Sequence, residues 1–161
     1  MPTLYTTDDN INPATERDAG FWLRAAAITI DIILLKIASM LLGLATGATA
    51  FGVSLLFGDP GSPVIKNATM LIGGVLGLAL AVLWFAGMEA STWQATVGKR
   101  IMGLKVVDAQ GQRISHRIAL GRYFGKILSV LTLGIGFMMA GWTVRKQALH
   151  DRLAGTYVVR R

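Results

Sequence analysis

The first long apolar run of this chain carries three charges that hydrocarbon should not tolerate. It extends from Phe21 to Phe57, FWLRAAAITIDIILLKIASMLLGLATGATAFGVSLLF, and holds Arg24, Asp31 and Lys36. Helical throughout, it would be roughly 55 Å long, whereas a bilayer core of about 30 Å needs only about 20 residues. A spanning helix is therefore expected over about residues 22–45, with the Gly-, Ala- and Thr-rich piece 43–50 bending or ending it. Arg24 and Asp31 are seven residues apart, on nearly one face and about 10.5 Å apart along the axis. Arg24 can snorkel to the headgroups on its long stem. Asp31 is too short for that, and an unpaired carboxylate in lipid costs several kcal/mol or takes up a proton. It must face protein, a basic partner or a wet cavity. Lys36 is a candidate charge partner, although five residues is not the favoured helical spacing.

Two further apolar regions follow. Gly58-Asp59-Pro60-Gly61-Ser62-Pro63 is a turn, and Ala68 to Met88 is an uncharged second span, 68–88. Gly73, Gly77 and Ala81 recur there at four-residue intervals, a small-residue face that lets a helix approach closely. The expected use is packing against the first span or another subunit, although Gly and Ala are also common in membrane helices generally. The third region, 119–142, has a shorter uncharged core from Ile127 to Trp142, interrupted by Gly134, Gly136 and Gly141.

Composition agrees with a membrane solvent: 53 % of residues are hydrophobic and only 16 % charged, against about 25 % in soluble domains. Sixteen Lys and Arg against nine Asp and Glu give a net charge of +7. No nucleic-acid motif accompanies the excess, which the positive-inside rule explains better. The 58–63 connection is nearly uncharged, whereas residues 89–126 carry Lys99, Arg100, Lys105, Arg113, Arg117, Arg122 and Lys126. That segment and the N-terminus are therefore expected on the cytoplasmic side. A straight third crossing would export Arg145, Lys146, Arg152, Arg160 and Arg161. A re-entrant third segment keeps every basic cluster on one side, and protein must shield its broken backbone. The charge distribution favours that arrangement over an ordinary crossing.

The remaining segments are polar. Residues 1–18 form an arm without signal-peptide character, so the first apolar run is expected to be retained. Thr15 to Asp18 has the form of a helix cap. Between the second and third regions, 98–116 reads as a cytoplasmic hairpin, with strand 101–107, turn 108–111 and return strand 112–115. Thr156–Val159 would supply a third strand. The expected fold is an all-α membrane helical bundle of two clear transmembrane helices and a third, broken or re-entrant segment. It bears a small β-hairpin or three-stranded cap.

Enzyme chemistry finds little support. The chain has no cysteine, which excludes thiolate and disulfide chemistry. Thr96-Val97-Gly98-Lys99-Arg100 lacks the first glycine and the Ser/Thr of a phosphate loop. His116 and His150 form no recognisable metal site, and His150-Asp151 has no nucleophile to complete a triad. No catalytic, cofactor-binding or metal residues are expected. The acid and bases of the first span would serve either as a structural pair or as a group that binds and releases a cation or proton.

Three ordered motifs resemble the RDD family of small membrane proteins, named for an arginine and two aspartates. Ala19 to Arg24 with Ile30-Asp31 resembles the opening motif, and Thr96 to Arg100 with Gly103 to Asp108 and Gly111 the central one. Gln147-Ala148-Leu149-His150-Asp151-Arg152-Leu153-Ala154-Gly155-Thr156 resembles the closing motif. The resemblance covers residues 19–159 and makes Arg24, Asp31 and Asp151 the family-motif residues, with Lys36 a departure. It implies a multi-pass protein of the bacterial cytoplasmic (inner) membrane without an assigned activity, either a scaffold or assembly component or a Na⁺ or Li⁺ exchanger against H⁺. The expected partners are membrane lipid, a second copy or another membrane protein, and, for exchange, a monovalent cation and protons. Shared placement at the inner surface suggests that Arg24 meets Asp151.

Overall fold

The computed structural model describes residues 18–57, 59 and 61–161. The polar arm up to Arg17 and the proposed Thr15 cap lie outside the described residues. Asp18 is not in the first turn of a helix: α1 begins at Phe21, behind Gly20, and Asp18 forms a β-bridge with Val159 instead.

Two long helices dominate. Helix α1 spans Phe21–Leu56, about 54 Å at 1.5 Å per residue. It neither ends nor breaks at residues 43–50, contrary to the expectation from sequence. In lipid, every freed backbone group would lack a partner, so continuing the helix is the cheaper course. The Thr46 and Thr49 hydroxyls also donate to helix carbonyls, Leu42 O at 3.1 Å and Thr46 O at 2.8 Å. Helix α2 spans Pro63–Val82, with Pro63 in its first turn where a missing N–H is harmless. It continues as a π-helical turn, Leu83–Gly87. The span thus starts earlier than the expected residue 68.

Both helices are nearly bare. Only Ala27, Asp31 and Ser54 of α1 are buried, and no residue of α2 is. Exposed apolar side chains cover both, among them Leu41, Leu44, Leu71 and Leu78. Such an apolar surface would be untenable in water at this length and composition; lipid is its solvent. The chain is a multi-pass membrane protein.

The third apolar region folds back. Ser115 caps α4, His116–Leu131, by accepting from Ile118 N–H. The chain reverses at Leu133 (φ 52°) and Gly134 (φ 82°). It then forms α5, Ile135–Met138, and a 3₁₀ turn, Met139–Gly141. The two halves are bent by 115°, which is the re-entrant form that the charge distribution favours. The turn satisfies its own backbone: Gly134 N–H donates to Ser129 O at 3.0 Å and Ile135 N–H to Thr132 O at 3.0 Å. Gly136 packs so tightly on α4 that a Cβ there would lie 2.6 Å from Ser129 Oγ.

A small polar cap closes one end. Helix α3, Val97–Ile101, leads into β1, Leu104–Val107. Helix α6, Leu149–Leu153, leads into β2, Tyr157–Arg160. Strands β1 and β2 pair antiparallel, Leu104 with Arg160 through Val107 with Tyr157. The cap is thus two-stranded, and its partner strands are distant in sequence. Residues 112–115 form no return strand; the turn closes through Asp108, whose Oδ1 accepts from Gln110 and Gln112 N–H. The edge of β1 that a return strand would have taken is held by Gln94, whose carbonyl accepts from Val106 N–H at 2.7 Å and whose Nε2 donates to Val106 O at 3.3 Å. Ala19 N–H donates to Val158 O at 2.9 Å, so the start of α1 and the last strand share one end. The core beneath is made largely of small residues, including Ala19, Ala27, Ala86, Ala90 and Ala119, with Leu104, Val106, Ile114 and Val158.

Gly136→Ala should lower stability by roughly 1–3 kcal/mol, the usual cost of overpacking a close contact. Thermal unfolding of the purified protein in mild detergent would show it. An unchanged midpoint would mean that α4 and α5 are not closely packed.

Candidate functional site

The charged and polar side chains of the motifs converge where the start of α1, the end of the second span, α4 and α6 meet. Glu89, Arg122 and Asp151 are each 0 % exposed, and they form one continuous ion chain. Glu89 Oε2 accepts from Arg122 Nε at 3.0 Å, and Glu89 Oε1 accepts from Lys99 Nζ at 2.6 Å and Lys126 Nζ at 2.8 Å. Arg122 reaches Asp151 through Nη1, 2.7 Å from Oδ1, and also donates to Thr156 Oγ1. Asp151 Oδ2 pairs with Arg24 Nη1 and accepts from Ala148 N–H at 3.1 Å. A buried ion survives only when its partners replace water; here each carboxylate has several.

Local sequence explains how the groups meet. Arg122 and Lys126 are four apart on α4, so both face the same neighbour. Between them Gly125 admits α6, because a Cβ there would be 2.9 Å from His150 Cβ. Glu89 follows the π-helical turn, a widening of the kind often found at functional positions. Asp151 sits at N3 of α6 and turns back onto the backbone of Ala148.

Asp31 lies apart from this chain of charges, 1 % exposed. Its Oδ1 accepts from Gly98 N–H at 2.8 Å and Trp84 Nε1 at 3.2 Å, and its Oδ2 from Thr96 Oγ1 at 2.5 Å. Three neutral donors thus take the place of water. The Thr96-Val97-Gly98 sequence, which is not a phosphate loop, is the clamp on this carboxylate. Gly98 is required there: a Cβ would stand 2.9 Å from Asp31 Cγ and collide with Ala27 O.

The structure brings Arg24 and Asp151 together. It does not bring Lys36 to Asp31: Lys36 is exposed, and the three donors already hold the carboxylate. An offset of five residues turns Lys36 away from the buried face of α1. Gly73 lies near α1, with its Cβ position 3.9 Å from Thr46 Oγ1, whereas nothing approaches Gly77 within 4 Å. Ala81 is half-buried. From sequence, Lys99, Arg122 and Lys126 count only as topology signals, and Glu89 has no assigned role. The signal available for their burial was Arg122 and Lys126 at helical spacing ahead of an apolar run.

Charges on the cap side respond to this packing. Burial pushes the Glu89 carboxyl up, but Lys126, Lys99 and Arg122 outweigh it and hold Glu89 well below the usual carboxylate range. Burial likewise raises Asp151, and Arg122 and Arg24 reverse the effect. Burial lowers the Lys99 ammonium to about 8 against the pull of Glu89. Burial also drives His150 down to about 3, despite Asp151 beside it, so the imidazole is neutral. A cavity of about 330 Å³ opens beside these groups, bordered by Phe21, Arg24, Asp31, Lys99, Lys126 and His150 among others. Among the described residues, no group of three or more His, Cys, Asp or Glu side chains is placed to hold a metal ion.

Arg122→Met would strand two buried carboxylates and should cost roughly 3–5 kcal/mol, read as a fall in the unfolding midpoint in detergent. An exchange of charge between Arg24 and Asp151 should not restore stability, because the new arginine would face Arg122. Folding strips the proton from His150: between pH 6.5 and about 3 the unfolded chain binds it and the folded chain does not. Stability should therefore fall as pH drops below 6.5, by roughly 1–2 kcal/mol at about pH 5. His150→Gln should flatten that decline; an equal decline in the variant would assign it elsewhere.

Comparisons with known proteins find relatives along most of the chain. The chain is 35 % identical over 150 residues to the uncharacterized protein YxaI of Bacillus subtilis (strain 168), covering 89 % of this chain and 98 % of that one. It is 26 % identical over 148 residues to the uncharacterized protein YckC of the same organism, covering 88 % and 84 %. It is also 29 % identical over 84 residues to a proline-rich antigen homolog of Mycobacterium tuberculosis (strain ATCC 25618 / H37Rv), covering 52 % and 35 %. No solved structure matches it significantly. The RDD family profile matches residues 18–155, which takes in Arg24, Asp31 and Asp151 and the other charged members of the ion chain. The chain belongs to the RDD family.

Proposed function

We propose that this protein is a non-catalytic scaffold or assembly component of a bacterial cytoplasmic membrane, with its N-terminus and cap on the cytoplasmic side. The observation that supports this most is the ion chain from Lys99 and Lys126 through Glu89, Arg122 and Asp151 to Arg24. It ties the first span, the end of the second, the re-entrant segment and the C-terminal helix into one unit. A group that cycles between ion-bound and ion-free states needs a charge free to change partners, and these carboxylates are each held by more than one cation. The spans, by contrast, leave their apolar sides unpartnered. Gly77 and its neighbours on α2 offer a close-approach surface for a second copy or another membrane protein.

Exchange of Na⁺ or Li⁺ against H⁺ is the second reading, and Asp31 is what favours it. That carboxylate is buried within a membrane span, has no cationic partner among the described residues, and borders the cavity. Arg24, Lys99 and Lys126 border the same cavity and would repel an entering cation, so the scaffold reading is preferred.

Purified protein reconstituted in liposomes should show no Na⁺- or Li⁺-driven proton flux between about pH 6 and 9, a range that brackets the usual working span of ion-coupled carboxylates and histidines. Gentle solubilisation of native membranes should recover it in a stable complex, either with itself or with another membrane protein. A cation-driven flux that Asp31→Asn abolishes, with insertion retained, would replace the scaffold reading with exchange.

A further inference from the structure

The cavity beside the ion chain combines cationic and apolar walls in a way that neither reading above requires. At about 330 Å³ it falls at the lower end of the usual range for small-molecule sites, ~300–1,000 Å³. Arg24, Lys99 and Lys126 border it together with Phe21, Ile28 and Phe137. Cations therefore meet aromatic and aliphatic surface within one pocket. Asp31 also borders it, but three neutral donors already occupy that carboxylate.

The donor inventory leaves capacity unused. Each lysine ammonium has three N–H donors, and each directs one hydrogen bond to Glu89 Oε1. Among the described residues, Arg24 Nη2 and His150 Nδ1 are buried without a hydrogen-bond partner, although such atoms are normally satisfied. Both residues border the cavity, and His150 is only 6 % exposed. Arg24, Lys99 and Lys126 thus bring three cationic side chains with spare donors to one cavity, a setting suited to an anion.

The surroundings indicate where that anion comes from. Phe21, Ala25 and Ile28 recur on one face of α1 at helical spacing and are only partly buried, as is Phe137 on α5. Beside them Trp22 is 82 % exposed, the placement of an aromatic residue at the membrane–water boundary. The pocket therefore lies at headgroup level with an apolar flank.

We infer that this cavity binds the phosphate-bearing headgroup of an anionic phospholipid, with the phosphate among Arg24, Lys99 and Lys126 and the first chain carbons against Phe21, Ile28 and Phe137. The volume suits a headgroup phosphate and a few carbons, with the acyl chains remaining in the bilayer. The bound anion would supply partners for Arg24 Nη2 and the spare lysine donors. This lipid site is independent of whether the protein assembles with others or exchanges ions.

The test uses the full chain in nanodiscs of phosphatidylcholine and phosphatidylglycerol in equal amounts, followed by mild extraction and native mass spectrometry of the retained lipid. Phosphatidylglycerol should be retained at least about tenfold over phosphatidylcholine, because both carry the phosphate but only the latter brings a choline cation beside Arg24, Lys99 and Lys126. Lys126→Gln should reduce that preference several-fold. Ala25→Phe, which fills the cavity without touching the ion chain, should abolish retention while the unfolding midpoint shows the protein folded; Ile28→Trp serves the same purpose from the next turn. Inorganic phosphate should neither displace the lipid nor raise the midpoint in phosphatidylcholine alone. Equal retention of the two lipids would overturn the inference, as would undiminished phosphatidylglycerol retention in a folded cavity-filled variant. Stabilisation by inorganic phosphate without lipid retention would assign the pocket to a soluble anion and overturn the lipid source.

Discussion

Arg122 is the side chain on which most of this structure depends. It is fully buried, bonds Glu89 through Nε, and reaches Asp151 and Thr156 through Nη1. A guanidinium is suited to the position because it cannot shed its charge and presents several donors in a fixed plane. A lysine there would offer one point of charge to two acids on different elements. Because Glu89 ends the second span and Asp151 begins the closing helix, the bond pattern of one residue sets how the cap docks on the membrane helices. The cost of burying that charge is offset only if both acids are present, so the three positions are coupled.

Glycine makes the docking possible at three points. Gly98 lets α3 meet Asp31, Gly125 lets α6 meet α4, and Gly136 lets α5 fold back onto Ser129. Each removes a Cβ that would otherwise hold two backbones apart, and each stands beside a polar group that must be satisfied locally. The apolar core is small and alanine-rich for the same reason. Lipid covers the large hydrophobic surfaces of α1 and α2, so the protein interior has little apolar area to bury and relies on close approach and paired charges.

The two buried acidic environments differ in kind. Around Glu89 and Asp151 the partners are cations, which hold the carboxyls ionised against strong desolvation. Around Asp31 the donors are an indole, a hydroxyl and a backbone amide, which satisfy the oxygens without cancelling the charge. The first arrangement balances charge against charge, and the second satisfies the acid with neutral donors. That contrast is why the family's two aspartates should not be assigned one role.

The sequence by itself determined the solvent and the broad architecture. Long apolar runs require lipid, and a glycine-interrupted third run is best folded back. It also exposed Arg24, Asp31 and Asp151, because charges and motifs stand out against such a background. It could not determine that α1 runs unbroken past residue 50, since small residues weaken a helix in water but not where lipid forbids free backbone groups. Nor could it show that β1 pairs with β2, because local turn chemistry near Asp108 suggested a nearer partner. Tertiary structure alone decided the pairings: Asp31 with Trp84, Thr96 and Gly98 instead of Lys36, and Glu89 with Lys99, Arg122 and Lys126. The physical reason is that burial, which gives those charges their meaning, arises only when segments far apart in the chain exclude water together.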